Sequence, residues 1–129
     1  MTELQFPLTV TFYPIANSFR HPKVIMAIVV GSGENPPTFW KECKWMGQAC
    51  DHLVEFLRET THLSQDPLPP TVEGPKVVML ISPEILDLTQ PPKVLCEVVE
   101  DNYHYALFPK FSEDLDSLRS KLVNDMFGL

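Results

Sequence analysis

Two unbroken runs of β-forming apolar residues constrain this chain more than any other feature: Lys23 to Val30 (KVIMAIVV) and Lys76 to Ile81 (KVVMLI). A strand with one wet face alternates apolar and polar side chains. A run that is apolar at nearly every position belongs to a strand covered on both faces, the pattern typical of a central strand in a parallel sheet. The chain must therefore layer itself around a sheet. Leu8–Phe12 (LTVTF) alternates strictly instead, placing Leu8, Val10 and Phe12 on one face of a half-buried strand.

Prolines set the boundaries of these segments. The 129 residues include 13 Pro and 5 Gly, a reversal of ordinary usage. Hydrophobic residues make up 44% and charged residues 21%, which suits a globular domain and excludes a disordered or coiled-coil chain. The prolines read as stiff punctuation placed in loops and at element ends, with none inside an element. Pro67-Leu68-Pro69-Pro70 gives a bare P-x-x-P spacing without a close flanking base, so it reads as a rigid surface loop.

Helical periodicity appears from about Phe39 to Thr61. Cys43, Met46, Cys50, Leu53, Val54 and Leu57 form an apolar stripe, and Asn35 or Thr38 is placed to start the helix. Ser82-Pro83-Glu84 reads as the start of a short helix, stopped by Pro91-Pro92. Lys93–Val99 and Tyr103–Phe108 read as a strand hairpin. Ser112 reads as the cap of a last helix with Leu115, Leu118 and Leu122 on its apolar face. The expected fold is a single α/β or two-layer α+β domain spanning 1–129. Its sheet is mixed and mainly parallel, with about five strands, one long helix, one short helix and a C-terminal helix.

Lys and Arg total 10 against 17 Asp and Glu, a net charge of −7. That balance argues against a nucleic-acid grip or an anionic membrane surface. The acidity lies late in the chain: residues 97–129 carry seven acids against Lys110, Arg119 and Lys121. Met1–Pro7 lacks the basic and apolar parts of a signal peptide, and Val24–Val30 is too short to cross a bilayer. With three Cys expected to stay reduced, a cytoplasmic protein is expected.

No motif for catalysis, metal or cofactor emerges. Gly31-Ser32-Gly33, read as a strand-to-helix turn, offers a partial anion cradle, but Pro36 stands where a third glycine belongs and a phosphate-binding Lys is missing. Cys43 and Cys50 lie two helical turns apart on the expected helix, too far for one tetrahedral zinc. Trp45, Ala49, His52 and Phe56 make a second stripe on that helix. It is open to two readings, plain core or a surface offered to a partner. Glu97, Glu100 and Asp101 form an acidic cluster suited to a partner with a basic face. The expected function is a non-enzymatic protein–protein interaction module, a subunit, adaptor or inhibitor, with Trp45, His52, Phe56, Glu97, Glu100 and Asp101 as contacts. The alternative is a small enzyme or sensor binding a nucleotide or anion at Gly31, Ser32 and Gly33.

Overall fold

The computed structural model describes residues 7–15, 23–58, 63–70, 74–84, 93–102 and 108–127. Along these run β1 (Leu8–Ile15), β2 (Lys23–Val30), β3 (Thr38–Cys43), α1 (Met46–Leu57), β4 (Val77–Glu84), β5 (Lys93–Asp101) and α2 (Phe108–Phe127). The strands form one sheet in the order β3-β2-β1-β4-β5. Each neighbouring pair is antiparallel. A mainly parallel sheet with three helices is therefore not what forms: the described residues hold an antiparallel sheet and two helices. Parallel neighbours need a crossover of a dozen or more residues, whereas β2 returns into β3 through Gly31–Pro37 alone.

The long helix expected from Phe39 to Thr61 is the largest local difference. Its first part is β3, where Thr38, Phe39 and Trp40 have the branched and aromatic side chains that favour a pleated surface. The helix begins only at Met46, after an extended Trp45 with no side-chain cap of its own. Gln48 Oε1 instead accepts the Lys44 N–H at 2.8 Å. Ser82-Pro83-Glu84 does not start a helix but completes β4. The rest of that expected helix, and Tyr103–Leu107 of the expected hairpin, lie outside the described residues; Phe108 begins α2.

Two prolines sit inside strands, against expectation, and the register explains both. Pro14 pairs with Val24 of β2, but β1 meets β4 only from Leu8 to Phe12. Pro83 pairs with Val94 of β5, past Ile81, the last residue of β4 opposite β1. Each proline thus occupies a stretch with a single neighbour, where a missing N–H leaves no ladder bond unmade.

Register sorts the sheet into two faces. One carries Leu8, Val10 and Phe12 with Val24, Met26, Ile28, Val77, Met79 and Ile81, and both helices pack there around Leu53, Leu118 and Leu122. The helices are tied to each other by the Cys50 thiol donating to the Asp114 carbonyl and by Lys121 meeting Asp51. Across the opposite, helix-free face run rows of paired residues, Trp40–Ala27–Thr11–Val78–Glu100 and Thr38–Val29–Thr9–Leu80–Glu97. Ile25, Ala27, Thr11 and Val78 of this face are also buried. The all-apolar runs thus occupy interior strands, β2 and β4, each flanked on both sides.

The outer edge of β3 is sealed by the loop after α1. Trp40 and Ser64 exchange two backbone hydrogen bonds of 2.9 Å, and the Trp40 indole N–H donates to the Asp66 carbonyl at 2.6 Å. Ser64 Oγ accepts the Asp66 N–H and stiffens the bend before the prolines. Trp40→Phe removes the indole bond while keeping most of the ring. The expected result is a loss of about 1 kcal/mol and faster proteolytic nicking within residues 64–70, read by limited proteolysis with mass spectrometry.

Candidate protein interface

β5 contains a bulge. Met79 pairs with Val98 but Val78 pairs with Glu100, so Val99 is an extra residue with no counterpart. Because side chains alternate along a strand, one extra residue reverses the alternation beyond it. Glu97 and Glu100, three apart, would otherwise occupy opposite faces. The bulge puts both on the helix-free face, at the β5 ends of adjacent rows, with Val99 between them. Val99 is 53% exposed, and it and Trp45 are the exposed large hydrophobic residues among those described. Glu100 reaches Lys76 Nζ at 3.9 Å. Asp101 pairs with Val77 and so falls on the helix side of the sheet, half-buried.

The α1 residues lie elsewhere. Trp45, 46% exposed, precedes the helix, and its indole lies against Gly47, where an added Cβ would meet Cδ1 at 3.3 Å. His52 Nδ1 stands 3.5 Å from Glu55 Oε2 but makes no hydrogen bond. Phe56 packs on Phe39 of β3 with ring centroids 5.1 Å apart, and Ala49 between them is fully buried. The second stripe is thus divided, its middle and lower part against β3 and the core, its upper end in solvent. α1 packs over β2 and β3, whereas β5 is the far edge, four strand spacings or about 19 Å from β3. The six expected contact residues therefore fall into two groups on opposite sides of the molecule.

Gly31, Ser32 and Gly33 form a turn between antiparallel strands. Gly31 has φ 78° and Gly33 φ 151°, conformations open to glycine, and the Gly31 N–H donates to the Pro7 carbonyl at 2.9 Å. The helix N-terminus on which anion binding at this turn depended does not follow it; β3 does. Cys43 closes β3 and Cys50 sits in α1, so they do not share a helix. Both are buried and free, as is the half-buried Cys96. Burial pushes the Cys43 thiol up to about 11. Burial, reinforced by the Asp114 carboxylate, pushes Cys50 up to about 12. Neither is a nucleophile near neutral pH. Among the described residues no three His, Cys, Asp or Glu side chains are grouped to hold a metal ion.

Missing from the sequence reading was the pairing of Glu97 with Glu100 on one face, since strict alternation separates them. The signal available was Val98-Val99, two adjacent β-branched residues between acids, where a period-2 pattern breaks. Compared with known protein families, characterised proteins and solved structures, the chain matches none. No helix among the described residues is long and apolar enough to cross a membrane.

Proposed function

We propose that this protein is a non-enzymatic interaction module of the cytoplasm, a subunit, adaptor or inhibitor that docks a protein with a basic face at the β5 bulge. The observation that carries the reading is Val99, more than half exposed, between two carboxylates brought to the same face. A bulge re-aims a side chain and bends its strand, and here it presents an apolar anchor inside a negative rim. A partner pocket lined by apolar groups and edged with Lys or Arg complements it, with the charges steering encounter and the buried valine slowing release. The net charge of −7 acts in the same direction at longer range. Three free thiols accord with a reducing compartment.

The test is a photo-crosslinker placed at position 99 in the source cells, with the same group at position 48 as a control. Capture of one protein from position 99 alone is expected. In the otherwise native chain, Val99→Asp and Glu100→Lys each lower co-purification of that protein by roughly tenfold or more. Undiminished co-purification with both substitutions, at wild-type stability, would remove the proposal.

A further inference from the structure

The two edges of the sheet are treated differently. The outer edge of β3 is closed by Ser64, while no described residue pairs with the outer edge of β5. An open edge is a template for another strand, and bulges or charges commonly blunt it. The bulge at Val99 interrupts only the end of β5, leaving Lys93–Glu97 in regular register with β4. We propose that this stretch pairs antiparallel with the same stretch of a second copy, joining two five-stranded sheets into one of ten strands across a two-fold axis at Leu95.

Register arithmetic selects both occupant and alignment. Residues paired across such an axis must share a face, and centring on Leu95 sets Lys93 opposite the partner's Glu97, Val94 opposite the partner's Cys96, and Leu95 opposite its own equivalent. Every charge meets its opposite, twice by symmetry, and every apolar residue meets an apolar one. Neighbouring alignments fail. Centring on Cys96 puts Glu97 against the partner's Leu95, and centring on Glu97 sets two carboxylates face to face. The acids Glu100 and Asp101 lie beyond the paired stretch in the Leu95 alignment, so they do not repel across it. Glu97 then serves the contact between copies, while Val99 and Glu100 stay open to a different protein. The inference stands apart from the proposed docking function.

Sedimentation velocity on the full chain is expected to show a species of twice 14.7 kDa. Lys93→Glu and Glu97→Lys each weaken dimerisation roughly tenfold or more, and combining them restores it, because the double reversal rebuilds both pairs in the opposite sense. Position 95 alone meets itself, so Leu95→Cys under oxidised glutathione gives a disulfide-linked dimer, while cysteine at position 93 does not. A wild-type monomer at roughly 0.1 mM, a dimer indifferent to both single reversals, or singles not rescued by the double would each overturn the proposal. So would failure of Leu95→Cys to cross-link.

Discussion

Replacing Phe12 with Ala is expected to cost about 3–5 kcal/mol, a large share of the roughly 5–15 kcal/mol that holds a domain of this size together. Phe12 is fully buried in β1, the middle strand, and is paired with Met26 on one side and Val77 on the other. Few positions are less able to relax, because the strands on both sides are fixed by their own ladders. The ring volume would remain largely as cavity. Urea unfolding should show the midpoint falling at constant slope. As a control, Trp45→Ala, with the indole nearly half exposed, is expected to change stability by less than about 1 kcal/mol. A Phe12→Ala protein within that range would mean the sheet is not packed as described.

Thiol reactivity provides the second large effect. An ordinary thiol near 9.0 is about one-tenth thiolate at pH 8, whereas one near 12, as burial makes Cys50, is about one part in ten thousand. Alkylation of native Cys50 at pH 8 should be about a thousandfold slower than in the urea-unfolded chain, and of Cys43, near 11, about a hundredfold slower. Mass spectrometry of timed iodoacetamide reactions measures both. Stability follows from the same shifts. Above pH 9 the unfolded chain gives up these protons while the native chain keeps them, so the native state is favoured less as pH climbs. The loss runs from about 9 to about 12 and is absent below it. A melting temperature constant from pH 8 to 11 would contradict the burial of both thiols.

The legible parts of the fold were those that local pattern settles. The runs at 23–30 and 76–81 are strands in the interior of the sheet, and alternation assigned Leu8, Val10 and Phe12 to one face. The stripe Met46, Cys50, Leu53 does mark a helical face, but extending it back to Phe39 joined a strand to a helix. Residues 39–43 carry apolar groups compatible with either period, and the decisive term is the ladder with β2, which no window of sequence contains. Strand direction was misread for a related reason. An apolar run reports burial on two faces, and an interior antiparallel strand can be as buried as a parallel one.

The candidate interface divides in the same way. Sequence alone determined its chemistry: an acidic segment on the C-terminal side of the chain, a Val-Val pair within it, and no set of residues suited to catalysis. Tertiary structure decided its geometry. Opposing β4 to β5 leaves Val99 without a counterpart, and that one-residue slip turns Glu97 and Glu100 to a common face while sending Asp101 to the other. It also set Trp45 and Phe56 on the far side of the sheet from those acids. Composition and periodicity arise from each residue's own preference for water or oil and are written in the chain. Register and strand order arise from pairing between segments distant in sequence, where a shift of one residue reverses every face, and only the assembled sheet fixes them.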